Sequence, residues 1–469
     1  MVAIVTDDLK HNILKELLAD YNSADNEYYI GIGRSEQWDS NDAATTPLNS
    51  KFDTIDFKEK LQAVKKVEAA SFIVPRQDWV YGTIYPQWDD KRAGTLSVGK
   101  RYYVLTDNFG VYICLRTGTN KQGVPQPSLV KPSGNENVAP FSTSDGYVWK
   151  FLYTISALKA NFFLSSQYMP VHIQETAPDS NSTGIEIKQH EIQQNAVPGR
   201  ITSFVMTNNG SGYGTAGAIP NLVIRGNGTL TFGDSAANFL QPIIDSDNGT
   251  ITAIQTKSTG STLNYLDSYD YAELIILPDG SGGDSARARP VVGPTPGFGF
   301  DARKDLKADA VMFRSKILDA DEDFILSQDF RQVGLIKNPL QPDSTGLFTA
   351  LTGVATRNIK LSSYTVAFSK DRKIKGVSSS AQAYIDNVDS SVSGGTRIHY
   401  HQSPDTGFKL FNVGETIQEV DGNGEGVMES FDNNAEVDRL TGDVLYLDNR
   451  ASVQRTANQS EDIKVIIQL

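Results

Sequence analysis

Tyr29-Ile-Gly-Ile-Gly-Arg-Ser-Glu-Gln-Trp38 poses the first question of fold. Gly31-Ile-Gly33 behind an apolar run invites reading as a dinucleotide loop, which would make the chain a parallel α/β protein. The physical requirements of such a loop are not met. A third glycine is absent, and Ser35-Glu-Gln-Trp-Asp-Ser-Asn-Asp42 does not open an amphipathic helix whose N-terminus could hold a pyrophosphate. Glu27 to Gly33 therefore reads as a strand whose glycines leave room for close packing. Arg34 and Glu36 can then pair, and Trp38 can anchor an interface or a core edge.

Outward from this strand the texture stays β. Arg101 to Leu105, Val111 to Arg116, Tyr147 to Ile155 and Tyr168 to Gln174 are apolar or alternating runs separated by Asn, Gly, Pro and Ser. Gly118 to Ser144 reads as a long polar surface loop. Two stretches have helical spacing: residues 8 to 20, through Leu9, Ile13, Leu14, Leu17 and Leu18, and residues 55 to 69, through Phe57, Leu61, Val64 and Val67. Residues 184 to 299 are rich in Gly, Ser, Thr and Asn and nearly free of helical pattern. They carry an internal repeat. Ile201 to Thr207, Asn209-Gly-Ser-Gly-Tyr213 and Asn221 to Ile224 recur as Ile251 to Thr256, Thr259-Gly-Ser261 and Glu273 to Leu277. Each repeat reads as strand, glycine turn, strand, and the two are expected to pack as one β-domain. Residues 347 to 439 show alternating strands without a long helix, as in a small barrel or sandwich. The expected fold class is mainly β with a few helices (α+β), in several domains.

Composition narrows the function. The chain has 469 residues, and its 56 acids against 43 bases argue against nonspecific nucleic-acid binding, which needs phosphate-neutralising cations. Cys114 is the only cysteine, so no intrachain disulfide is possible, and its apolar run reads as a buried strand in a reducing cytoplasm. No charged leader and no apolar run near membrane-spanning length is seen, so a cytosolic origin without a membrane span is expected.

Candidate chemistry is sparse. Asp421, Asn423, Glu425 and Asp432 fall at calcium-loop positions around Gly426, but a strand precedes them and Asp-Gly and Asn-Gly steps are also hairpin turns. His399-Tyr-His401 puts two rings on one strand face, where Asp405 would have to complete a metal set. Asp319-Ala-Asp-Glu-Asp323 lacks the glycine a calcium loop needs and reads as a solvated loop. There is no nucleophile elbow, His-Glu-x-x-His or P-loop, so no catalytic residue and no cofactor are assigned. Tyr147 and Trp149 read as core. Arg76, Trp79 and Trp88 sit among charges and, with Arg34 and Trp38, are the interface candidates.

Three runs together resemble a known family: Tyr29 to Trp38, Asp145-Gly-Tyr-Val-Trp-Lys-Phe-Leu-Tyr153, and Phe330-Arg-Gln-Val-Gly-Leu-Ile-Lys-Asn-Pro-Leu340. Val74-Pro-Arg-Gln-Asp-Trp79 with Tyr85-Pro86, and Gly442-Asp-Val-Leu-Tyr-Leu-Asp-Asn-Arg450, agree with it. In this order they are similar to the baseplate wedge subunit of T-even-type contractile-tailed phages, the dimeric gene-product-eight family. The resemblance implies a wedge core at 1–180, 300–346 and 440–469, interrupted by β-rich insertions at 184–299 and 347–439. It further implies a homodimeric, non-enzymatic structural protein of the virion tail baseplate, assembled in the host cytoplasm and binding other baseplate wedge proteins. A receptor-binding adhesin and a tail-associated glycan hydrolase are the alternatives.

Overall fold

A computed structural model describes residues 4–39, 41–91, 101–134, 139–214, 219–230, 235–259, 262–263, 265–278, 283–318, 321, 323–324, 329–342, 346–390, 395–431, 435–456 and 458–469. Strands take 40% of the described residues and helices 11%, so the protein is a mainly β, α+β multidomain fold. The chain forms two compact units, each discontinuous in sequence. The first comprises Met1–Leu14, Ser71–Ala310 and Leu469, and the second Lys15–Ala70 and Val311–Gln468.

In the first unit Tyr103–Leu105, Gly110–Arg116, Val148–Thr154 and Phe141–Ser142 form a four-stranded antiparallel sheet in that order. Tyr147 and Trp149 stack at 5.5 Å in its core beside the buried Cys114. The Gly- and Ser-rich stretch departs from its sequence reading in two ways. Gly184–Gln194 is a helix, opened by a capping box in which Thr183 and Glu186 satisfy each other's backbone N–H groups. The repeats also do not close their own hairpins. Leu222–Gly226 of the first pairs with Ala272–Ile276 of the second, while Ile201–Asn208 pairs with Arg287–Val292 and Thr250–Thr256 with Leu240–Asp245. One repeat has too little apolar surface for a core. Interlocking puts Ile201, Tyr213, Ile224, Ile251 and Ile254 from both into a single one.

In the second unit Thr352–Val354, Leu61–Lys66, Tyr28–Gly33, Asp329–Lys337 and Asp443–Gln454 make a five-stranded antiparallel sheet in that order. Gly31 faces Gly334 across the central pair, and Gly334 faces Leu447. The helix Lys51–Glu59 lays Phe57 over these glycines. A Cβ on Gly334 would stand 2.5 Å from the Phe57 ring, which is why the strands carry glycine there.

The helical reading of residues 55–69 is corrected here. The helix stops at Glu59, and Leu61 and Val64 belong to the next strand. Leu61, Gln62, Ala63 and Val64 are all buried, because both faces of the strand are covered. Such a strand loses its period of two, and the remaining spacing of three imitates a helix. The first helix, Asp7–Tyr21, buries Leu14 and His11 but leaves Leu9 and Ile13 exposed.

Arg357–Val366, Thr396–His401, Gln382–Asp389, Lys373–Gly376, Thr416–Glu419 and Glu425–Phe431 close into a barrel around Ile359, Ile374, Ile385, Ile398, Tyr400, Ile417 and Met428. Closure leaves these strands no open edge.

Candidate functional site

The segment after Gly33 is held by charge. Arg34 adopts a positive φ of 58°, places its guanidinium 4.0 Å from the Trp38 ring centroid, and lies 3.6 Å from Asp56 and 3.9 Å from Glu36. Trp38 Nε1 donates to the Arg450 carbonyl at 2.9 Å, and its backbone N–H donates to Asp42 at 3.1 Å. Beneath them the buried Arg331 grips Asp42 through Nε at 2.7 Å and Nη2 at 2.8 Å and donates to the Ser35 carbonyl. Arg34 and Trp38 are thus fixed parts of one surface, half-buried and oriented by residues nearly 300 positions away.

This segment meets the barrel through a buried histidine. Ile398 and Tyr400 turn into the barrel core, which sends His399 and His401 outward, yet both are buried. His401 Nδ1–H donates to Asp386 Oδ1 at 2.7 Å, Ser35 Oγ donates to the same oxygen at 2.9 Å, and His401 Nε2 stands 3.9 Å from Glu36. Lys60 holds Glu36 at 2.9 Å. Burial pushes the imidazole pKa down, but Asp386 and Glu36 outweigh both burial and Arg439, and the net shift is upward. For Glu36, burial raises the pKa and His401, Lys60 and Arg34 together lower it further, so the carboxyl stays ionised. His401 Nε2, Glu36 Oε2, Asp386 Oδ2 and Arg439 Nη1 make no hydrogen bond among the described residues. The arrangement is a buried, charge-compensated cluster that ties the segment after Gly33 to the barrel.

The metal readings fare differently in geometry. Asp405 is not beside the histidine pair: it accepts from Tyr384 at 2.7 Å and faces Lys373 at 3.3 Å, while His399 Nδ1 lies 3.3 Å from Thr356 Oγ1. Asp421 and Asn423 are exposed in the turn between the paired strands Thr416–Glu419 and Glu425–Phe431, and Gln418 donates to Glu425 at 2.8 Å. The carboxylate that organises this turn is Glu419, which accepts from Ser369 N at 2.6 Å and Gly424 N at 3.1 Å. Asp432 lies outside the described residues, as do Asp319 and Glu322. Among the described residues no three His, Cys, Asp or Glu side chains come together as a metal set.

The remaining interface candidates lie in the first unit. Trp88 is only 8% exposed and packs edge-on against Phe298 at 4.8 Å, so its ring is a core element and this corrects its assignment to an interface. Its charged neighbours Asp89 and Asp90 hold Arg289 at 2.6 and 3.0 Å. Trp79 is half-buried, with Nε1 donating to Ser128 Oγ at 3.1 Å. It roots a turn that exposes Val80, Tyr81 and Ile84, with exposed Leu129 following Ser128. Arg76 pairs with Asp78 at 2.9 Å and donates to the Ser165 carbonyl, bracing the start of that turn.

No family model matches the chain, and no curated protein matches it in sequence. Among the described residues no helix is long and apolar enough to cross a membrane. Sequence reasoning missed Arg331, Asp386 and Glu419. Only Arg331 left a signal, as a charge inside the mostly apolar stretch from Phe330 to Ile336.

Proposed function

We propose that this chain is a structural subunit of the baseplate wedge of a T-even-type contractile phage tail, and works by binding rather than catalysis. In this reading it is a homodimer that joins other wedge proteins in the host cytoplasm and stays in the virion tail. One observation carries the reading. Three of the runs that resemble the family, Tyr29 to Trp38, Phe330 to Leu340 and Gly442 to Arg450, contribute three neighbouring strands of one sheet, although some 300 and 100 residues separate them. Residues that assemble into one element are what a shared core would have in common. Exposed apolar side chains on a rigidly braced turn, Val80, Tyr81 and Ile84, suit a protein whose task is association.

Light scattering tests this. A mass twice the 51.3 kDa of the chain, followed by co-migration with neighbouring wedge proteins on mixing, is the expected result. A stable trimer that binds none of them would move the reading to an adhesin.

A further inference from the structure

The first unit holds a pocket of about 240 Å³, walled by Ala139, Pro140, Val197 and Phe298, with Lys150 and Arg200 as its cations. Lys150 stands mid-strand in Val148–Thr154, where six of seven residues are buried, and is itself only 3% exposed. A lysine in such a strand costs desolvation that an apolar residue would not. Its tip lies beside Gly299, where an added Cβ would come within 3.6 Å of Nζ and 2.8 Å of Ile192 Cγ2. The glycine therefore leaves the amine its place at the pocket.

The charge that the described residues bring to this pocket is positive. Arg200 is balanced by Asp267, which accepts from Nε at 2.7 Å and Nη2 at 3.1 Å, and its guanidinium lies 4.2 Å from the Tyr265 ring centroid. Nη1 is left as its remaining donor. The carboxyl that faces Lys150 is Asp305, which accepts from the Gly299 N–H at 2.7 Å. Burial holds this carboxyl up at about 8, so near neutral pH it is mostly protonated and offers Lys150 little negative charge. Burial also pushes Lys150 down to about 8, with Asp305 opposing the fall and Arg200 and Lys188 adding to it. Lys188 is itself balanced by Glu191 at 2.9 Å. Among the described residues no carboxylate lines the pocket. A desolvated cation in a cleft with apolar walls is the arrangement that an anionic ligand completes.

We propose that this pocket binds a small organic carboxylate, one oxygen accepting from Lys150 Nζ and the other from Arg200 Nη1, with its apolar body against Pro140, Val197 and Phe298. A single negative charge matches a site in which Asp267 already balances Arg200. A phosphate has more oxygens than these two side chains can satisfy, and the apolar walls would leave the others unpaired. The site is separate from the surfaces assigned to association, and the inference does not depend on that assignment.

The test is calorimetric titration of benzoate, and separately of inorganic phosphate, into the full chain at pH 6.5 and pH 9. Expected is benzoate binding at pH 6.5 that weakens about tenfold at pH 9, because an amine titrating at about 8 is protonated there in roughly a tenth of the molecules. Lys150→Met keeps the apolar stem and removes the charge, and should abolish binding while the thermal unfolding transition is retained. Benzoate affinity equal at the two pH values would overturn the proposal, and that comparison needs no variant. So would undiminished binding by Lys150→Met, phosphate bound in preference to benzoate, or a benzoate titration at pH 6.5 without binding heat.

Discussion

Replacing His401 by Gln removes a positive charge from between two carboxylates in a site the solvent does not reach. His401 is 1% exposed and Asp386 2%, and the hydrogen bond between them spans 2.7 Å. A charge-assisted bond of this kind contributes about 1.5–3 kcal/mol, and removing one partner of a buried pair costs about 3–5 kcal/mol because the other charge is stranded. Asp386 keeps the Ser35 hydroxyl and the nearby charge of Arg439, and Glu36 keeps Lys60 at 2.9 Å, so neither carboxylate is fully stranded. The cost therefore belongs near the lower end, at about 3 kcal/mol.

The sign with pH follows from the upward shift. The unfolded histidine titrates near 6.5 and the folded one higher. Below 6.5 both states are protonated and the stabilisation is complete. As pH rises the unfolded state loses its proton first, and the contribution is gone once pH passes the folded value. The assay is urea unfolding at a series of pH values, followed by Trp38 fluorescence. Trp38 is the one tryptophan in the second unit, and subtracting a Trp38→Phe chain isolates its signal. His401→Gln should lose about 3 kcal/mol at pH 6 and much less at alkaline pH, and Asp386→Asn in the same chain should recover part of the loss. A cost under about 1 kcal/mol at pH 6, with an unchanged pH slope, would refute the reasoning.

Gly334→Ala should destabilise the second unit by about 1–3 kcal/mol in the same assay, since the new methyl meets the Phe57 ring at 2.5 Å. Arg331→Lys should behave much like Arg331→Ala, because a lysine cannot reproduce the forked contact to Asp42. Faster proteolysis within 34–42 in both variants would report it. In the first unit, burial pushes the Asp305 carboxyl up to about 8, with the Gly299 N–H as its donor at 2.7 Å. A group raised in this way favours the folded state below its unfolded pKa and loses that contribution as pH climbs towards 8. Asp305→Asn, which keeps the acceptor, should therefore change stability by less than about 1 kcal/mol at pH 3.5 and increase it at pH 9, read by thermal unfolding.

The residues of Gly110–Arg116, Val148–Thr154 and Tyr28–Gly33 announce strands wherever they are placed, because apolar β-formers bounded by turn residues have few other uses. The mainly β class was legible for that reason. The helix Gly184–Gln194 was legible too, in Thr183-Gly-Ile-Glu186 and the apolar Ile192, but the surrounding glycines and serines masked it. Leu61–Lys66 was not, because its spacing fits a helix and only cover on both faces makes it a strand.

The local backbone state is a property of neighbours in sequence, and the sequence by itself determined it over most strands. Which strands meet was decided by tertiary structure alone. Nothing near Gly31 says that Gly334 will face it, and nothing near His401 says that Glu36 and Asp386 will surround it. Pairing register is set by burying one common core across long loops, whose closure cost grows only slowly with length, so distance along the chain carries almost no information about contact. The surface of Arg34 and Trp38 and the buried His401 exist only once those distant segments have met.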